Sequence, residues 1–329
     1  MKPINIGIIG TGIAARDLHW PALKQIKGRM KIVAVCNHTE PKAKKYAKMV
    51  GGVPYVLDYR DLLSMPDVEA VDIVLPIELN YRVTLDALEA GKHVIVEKPM
   101  AVNLEEAKKM LEFPAGFPQV MMVAEHFRYM PKLIRAREMI EEGEIGNPYA
   151  VVWTDYHRMH LGNKYAKTKW RLEHKYRGGF ITDAGIHNIA GLRFLFGDFD
   201  VGSAFAQRIN PDLGEMDTFS LQFRMKNGIQ GSLILYYSAI EFNEDRLIIF
   251  GDGGTIIAGG GKIALQRSGK PIHIEKLPGD PGYRGEFENF YEAIREGKNV
   301  VATFEESYRD LEVMMNAIDS TQSGHTVKL

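Results

Sequence analysis

A run of β-branched residues, Ile4-Asn5-Ile6-Gly7-Ile8-Ile9, ends in Gly10-Thr11-Gly12-Ile13-Ala14-Ala15 and passes without a spacer into a helix-forming stretch. A strand that becomes a helix within so few residues needs a turn with little side-chain bulk, and glycine supplies it. Gly10 permits the tight turn, Gly12 lets an anion approach the backbone, and Ala15 keeps the helix close to the strand. The amides at the start of that helix face outward toward negative charge. Gly10, Thr11, Gly12, Ile13 and Ala14 therefore read as the pyrophosphate cradle of a dinucleotide fold. A glycine turn that binds nothing is the bland alternative, and the strand, loop and helix order argues against it.

The next hundred residues repeat the theme. Short apolar runs at Lys31 to Cys36, Ala70 to Leu75, His93 to Val96 and Val120 to Ala124 alternate with amphipathic stretches at Pro41 to Met49, Tyr81 to Ala90 and Asn103 to Leu111. Strands separated by segments long enough for a crossover helix predict βαβ units and a parallel sheet. After Glu125 and one more helix, Pro131 to Glu142, the pattern becomes period two at Tyr149 to Arg158, Val201 to Ile209, Asp217 to Met225 and Ile229 to Ala239. Asn227-Gly228 marks a hairpin between the last two. Short strands without crossovers continue to Lys276, and helices at Gly285 to Glu296 and Thr303 to Thr321 close the chain. Thr303 with Glu306 fits a capping box. The expected fold class is α/β plus α+β. A doubly wound Rossmann domain at 1–125 precedes an α+β domain at 126–302 built on a large, mostly antiparallel sheet. A C-terminal helix and tail at 303–329 is expected to pack back on the first domain.

Composition removes several function classes. Among 329 residues, 41 lysines and arginines meet 42 aspartates and glutamates, for a net charge of -1, so a nucleic-acid partner is not expected. Cys36 is the only cysteine, which excludes an intramolecular disulfide and a cysteine zinc site. No apolar run approaches the roughly 18 residues of a membrane helix, and no signal-peptide layout is visible, so the expectation is a cytoplasmic protein without a membrane partner. His157-x-x-His160 lacks a convincing third ligand, and no metal is expected.

Three further places invite chemistry. The second strand ends at Asn37-His38, where a dinucleotide fold reads the adenosine ribose. An acid there selects NAD by repelling a 2′-phosphate. Asn37 is neutral, and Lys42, Lys44 and Lys45 follow either as phosphate partners or as a solvated helix face. NADP and NAD both stay open, with the balance toward NADP. Glu97-Lys98-Pro99 ends another parallel strand, where ligands of open α/β sheets bind. Lys98 there suits a cofactor ribose and a substrate oxyanion, or is simply exposed. Asp183 and His187 stand at i and i+4 on a predicted helix, sharing a face with Gly185, which leaves room for an approach. Histidine exchanges protons near neutral pH, so the pair is a proton-transfer candidate as well as an ordinary helical ion pair.

Taken in order, Gly10 to Ala15, Ala90-Gly91-Lys92-His93-Val94 leading to Glu97-Lys98-Pro99, Arg128-Tyr129-x-Pro131, Gly143-x-Ile145-Gly146, Trp170-Arg171 and Gly178-Gly179-x-x-x-Asp183-x-Gly185-x-His187 resemble the glucose-fructose oxidoreductase and inositol dehydrogenase (Gfo/Idh/MocA) family nearly end to end. The resemblance implies an NAD(P)-dependent oxidoreductase acting on a sugar, cyclitol or related polyol. Lys98, Asp183 and His187 fall on the family's catalytic positions, with His187 as general acid/base, Lys98 stabilising the alkoxide and Asp183 orienting the substrate. Leu75, Pro76, Asn37, His38, Glu97, Lys98 and Arg171 join the glycine loop as cofactor contacts. His126, Arg128, Tyr156 and Trp170 join the catalytic three as substrate contacts. The chain departs from the family's Thr-Pro-Asn-x-x-His at Leu75-Pro76-Ile77-Glu78-Leu79-Asn80, where Ile77 and Asn80 replace the usual Asn and His.

The alternative function is a non-catalytic dinucleotide-binding regulator or sensor of the same fold. The family also implies a homodimer or homotetramer formed through the C-terminal sheet. Phe219, Leu221, Phe223, Leu233, Leu235 and Tyr237 are expected to form its apolar associating face.

Overall fold

The computed structural model describes residues 2–172 and 176–329, with the side chains of 169 and 170 outside the description. The chain begins with strand β1 (Ile4–Ile9), a helical stretch that includes a π turn at Ala15–His19 and α1 (Trp20–Gln25), then β2 (Met30–Cys36) and α2 (Glu40–Met49). It continues through β3 (Tyr55–Val56), α3 (Tyr59–Leu63), β4 (Ala70–Ile73), α4 (Asn80–Glu89), β5 (His93–Glu97), α5 (Leu104–Met110), α6 (Phe113–Gly116) and β6 (Met121–Ala124). Next come α7 (Pro131–Glu141), β7 (Pro148–Tyr156), α8 (Lys169–Leu172), α9 (Phe180–Phe196), β8 (Phe199–Gln207), β9 (Thr218–Met225), β10 (Gln230–Tyr236) and β11 (Glu244–Gly251). The strands β12 (Thr255–Gly259), β13 (Lys262–Gln266) and β14 (His273–Lys276) lead to α10 (Tyr283–Glu296), α11 (Phe304–Ser323) and β15 (Val327–Lys328).

The first sheet runs β3-β2-β1-β4-β5-β6, with every pairing parallel. This is the doubly wound Rossmann order, in which the chain reverses direction across the sheet between β1 and β4. Both faces are covered by helices, so the strands are apolar almost throughout: Ile4, Ile6, Ile8, Val71 and Val94 to Val96 are fully buried. The hydroxyl of Thr303 accepts the Glu306 amide at 3.1 Å, the predicted cap of α11.

The second sheet runs β14-β13-β12-β11-β7-β10-β9-β8-β15 and is antiparallel except where β10 pairs in parallel with β7. The β9 and β10 strands form the predicted hairpin, with Gly228 at φ 91° in its turn. One face packs against α9. There the alternating residues Phe219, Leu221, Phe223, Leu233, Leu235 and Tyr237 are buried, together with Trp153. The expected associating face is thereby inverted, because these residues form the helix-covered core and the intervening ones face outward. Period two fixes that a strand has two faces but not which one a helix covers.

Compact units do not follow the predicted boundaries at the end of the chain. Met1–His126 with Gly282–Tyr308 makes one unit, and Phe127–Pro281 with Arg309–Leu329 the other. Helix α10 and the first turn of α11 thus belong with the Rossmann sheet, while the rest of α11 and the tail do not. Packing explains the correction: the Ser320 hydroxyl accepts the Ala204 amide, Asp310 binds Arg128 and Arg193, and β15 pairs with β8.

Candidate active site

In the first unit the predicted cofactor residues converge on the carboxyl edge of the parallel sheet. Gly10 follows β1 at φ 99°, and a Cβ there would lie 2.1 Å from the carbonyl oxygen of Val74 after β4. Only glycine fits a turn pressed this closely against Val74 and Leu75. At Gly12 the opposite holds, because a Cβ would meet nothing within 4 Å. The surface over Gly12 is open where a pyrophosphate would approach. The Thr11 hydroxyl is buried and lacks a hydrogen-bond partner among the described residues. Ile13 and Ala14 open the helix, whose first amides have no intrahelical acceptor. An open cradle, an orphaned hydroxyl and helix-start amides together fit a dinucleotide pyrophosphate.

Asn37 and His38 follow β2 on the same edge. Asn37 Oδ1 accepts the Thr39 amide at 2.9 Å, and His38, Lys42, Lys44 and Lys45 are exposed. Leu75 and Pro76 follow β4, and Ile77 is buried in the apolar core rather than turned to a ligand. Asn80 has a different part. Its buried amide nitrogen donates to the carbonyls of Glu97 and Pro99 at 2.8 and 3.0 Å, clamping the peptides on either side of Lys98. The Lys98 amide in turn donates to Glu97 Oε2 at 3.1 Å. The residue that departs from the family pattern is thus a clasp on the lysine turn. His126, just after β6, is buried and stacks on Tyr283 at 4.1 Å, which gives it a packing partner on α10.

In the second unit Asp183 and His187 lie one turn apart on α9, as the spacing predicts. The helix starts abruptly because Gly178 and Gly179 take positive φ angles, and the Gly178 amide donates to Glu215 Oε2 at 2.6 Å. Asp183 is buried and receives the Arg171 Nε at 2.6 Å, while Arg171 Nη1 reaches the Thr168 hydroxyl. Arg171, expected at the cofactor, therefore has the carboxylate of Asp183 as its immediate partner. His187 is half-buried and stacks face to face on Phe127 at 4.7 Å. Gly185 does not leave room for a ligand as expected. A Cβ there would lie 2.5 Å from Leu235 Cδ1, so its smallness seats α9 on the sheet.

Two substrate candidates are relocated. The Arg128 guanidinium is buried and bound to Asp310, which also takes Arg193, so it belongs to a buried ion network. Burying that charge requires such partners. Tyr156 lies on the outward face of the sheet beside Tyr236 and Phe242, because Trp153 and Asp155 take the helix-covered side. Trp170 has its side chain outside the described residues. His157 bonds to Asp155 at 3.1 Å, whereas His160 accepts the Gly162 amide, so the two histidines face different partners.

Sequence reading placed Tyr237 only on the apolar sheet face and missed its carboxylate neighbours. Its hydroxyl is fully buried without a hydrogen-bond partner among the described residues. Burial first, and then the carboxylates of Asp155, Asp183 and Asp245, push its pKa well above the ordinary tyrosine value, leaving a neutral donor. Asp245 also accepts the Trp153 indole at 2.9 Å and pairs with Lys132. An aspartate at matching register on β7 and β11, Asp155 beside Asp245, was the available signal, but it needs the strand pairing to be seen.

Comparison with known proteins identifies the family. Residues 4–124 match the oxidoreductase family's NAD-binding Rossmann fold, and residues 137–329 its C-terminal alpha/beta domain. The chain is similar to the crystal structure of an oxidoreductase from Thermotoga maritima, with TM-score 0.92, 36% identity, and coverage of 99% of this chain and 98% of that one. An uncharacterised protein of Saccharomyces cerevisiae is 32% identical over 316 residues, spanning 89% and 88% of the two chains. The scyllo-inositol 2-dehydrogenase (NAD(+)) of Bacillus subtilis is 26% identical and spans 91% of this chain and 89% of its own. The chain belongs to the Gfo/Idh/MocA oxidoreductase family and is an NAD(P)-binding dehydrogenase or reductase.

Proposed function

We propose that this protein transfers a hydride between NAD(P) and a carbinol or carbonyl carbon of a sugar, cyclitol or related polyol. The observation that carries the reading is the carboxyl edge of the parallel sheet. There the open glycine cradle, the Leu75-Pro76 turn and the clasped Lys98 lie on one border of one sheet, where such folds bind ligands. The resemblance to a cyclitol dehydrogenase supports the substrate class.

Bound nicotinamide supplies or accepts the hydride. The chain's part is proton and charge handling. In oxidation His187 accepts the proton of the reacting hydroxyl, and in reduction it returns one. Lys98 stabilises negative charge developing on that oxygen, and its fixed peptide means little reorganisation is needed when charge appears. Asp183, paired with Arg171, orients the substrate. Asn37, with no acid at the end of β2, favours NADP over NAD because a 2′-phosphate meets no repulsion.

A substrate panel with each dinucleotide, read at 340 nm, tests the proposal. Turnover is expected with a polyol, and Lys98→Ala or His187→Ala should lower kcat by at least about a hundredfold, the scale of one general acid/base or oxyanion group. Dinucleotide affinity should persist in His187→Ala. Dinucleotide binding with no turnover across sugars and cyclitols would instead favour a sensor.

A further inference from the structure

Behind the Lys98 turn, inside the first unit, lies a cluster that the proposed reaction does not use. His19 is fully buried at the end of the π turn. Pro21, two residues on, has no amide to donate and crowds the carbonyl four residues back, which disfavours regular α winding. The Trp20 amide bonds to Ala15, five residues back, and the wider turn accompanies the inward placement of His19. Its Nδ1 meets Asp72 Oδ2 at 2.8 Å and its Nε2 meets Glu97 Oε1 at 3.0 Å. The Phe287 ring closes the imidazole edge-on at 5.3 Å.

Two carboxylates on two ring nitrogens set the protonation state. A neutral imidazole has one N–H donor and cannot satisfy both acceptors, whereas the imidazolium can. Burial opposes that charge, but Asp72 and Glu97 outweigh it and hold the pKa well above the ordinary histidine value. The anchor on one side is rigid, since Asp72 lies within β4 between β1 and β5. Glu97, on the other side, directly precedes Lys98, and its second oxygen accepts the Lys98 amide.

We propose that His19 is a positioning residue for Lys98, acting through Glu97. Asp72 fixes the imidazolium, the imidazolium fixes one oxygen of Glu97, and the other oxygen fixes the Lys98 amide. Asn80 clasps the adjoining carbonyls, so the lysine turn is held from two directions. A mere staple between helix and sheet would need only Asp72. The second bond, to the residue before the lysine, is what assigns the network to Lys98. The role rests on the catalytic reading of Lys98, while its physical content, a fixed Lys98 turn, is measurable without any substrate.

The test is amide hydrogen exchange by NMR on the intact chain with His19→Gln and, separately, Glu97→Gln. The second variant alters the half-buried end of the network and covers the case in which His19→Gln fails to fold. The Lys98 amide should exchange at least about tenfold faster in each variant, while amides of β1 and β6 keep their rates. With an active polyol, kcat should fall at least about tenfold, with dinucleotide Kd unchanged in His19→Gln, and the double variant should be no worse than either single one, as for residues on one path. Unchanged Lys98 exchange in a folded variant overturns the proposal. So does equally faster exchange across the whole sheet, which marks a structural staple. Absence of polyol turnover by the wild type would defeat the catalytic reading of Lys98, while the exchange result would still decide whether His19 fixes the turn.

Discussion

Glu286 on α10 is fully buried, and neither carboxyl oxygen has a hydrogen-bond partner among the described residues. Burial first, then Glu97, Asp72 and Glu125, raises its pKa well above the usual range, against the opposing pull of His19. Folding therefore binds a proton at Glu286 once the unfolded side chain ionises, above roughly pH 4.3. His19 adds a second above roughly pH 6.5. The signs agree. In both groups the folded pKa lies above the unfolded one, so their stabilisation is complete below the unfolded pKa and is lost as pH rises through the folded one. Each proton contributes at most about 1.4 kcal/mol per pH unit. Glu286→Gln should flatten the fall of stability between pH 5 and 8 and gain on the wild type as pH rises, read from urea midpoints across that range. Parallel curves would show that Glu286 does not take up that proton. Apart from Glu97, none of this cluster was visible in sequence, although Asp72 inside the apolar run Ala70 to Ile73 was a clue, since a carboxylate in a strand buried on both faces needs a partner. Finding His19 as that partner requires knowing that β1 and β4 are neighbours.

At the scale of elements, the first loop was legible because its chemistry is local. Gly10 answers to the turn and Gly12 to what lies above it, and the spacing of the two is set within one loop. Their contrast yields a prediction. A Cβ at Gly10 collides with the Val74 backbone, whereas one at Gly12 meets open space without a positive φ to strain it. Gly12→Val should thus leave the melting temperature nearly unchanged while weakening dinucleotide binding at least tenfold, or about 1.4 kcal/mol. Titration calorimetry beside a thermal melt checks both halves, and unaltered affinity would remove Gly12 from the cradle. The Asp183 and His187 helix was legible for the same reason, since i and i+4 share a face whatever surrounds them. Gly185 was misread because its close neighbour, Leu235, comes from a strand fifty residues away. The ion pair of Arg128 was out of reach likewise, its partner Asp310 lying on α11 far along the chain.

For the whole molecule, sequence periodicity located the strands of the second sheet but not its open side. The register resolves it: Phe205, Ser220, Ile234 and Thr154 lie in one row across β8, β9, β10 and β7 on the face away from α9. Phe205 is 77% exposed, and nearby on this face Tyr156 contacts Tyr236 and Phe242, both exposed. An aromatic surface of this kind, interleaved with Ser220, Gln222 and Ser232, has the mixed character of an interface rather than of a folding core. Association of two copies through it would be isologous, each presenting the same rows to the other. About 800 Å² per partner is the usual requirement for a stable association. Light scattering should give the mass of a dimer or tetramer. Phe205→Glu, which places a charge in the row without touching the buried face, should shift that mass toward the monomer while the melting temperature of the second unit changes little. A monomeric wild type would reject the association outright, and an unshifted Phe205→Glu variant would move the interface to a different surface.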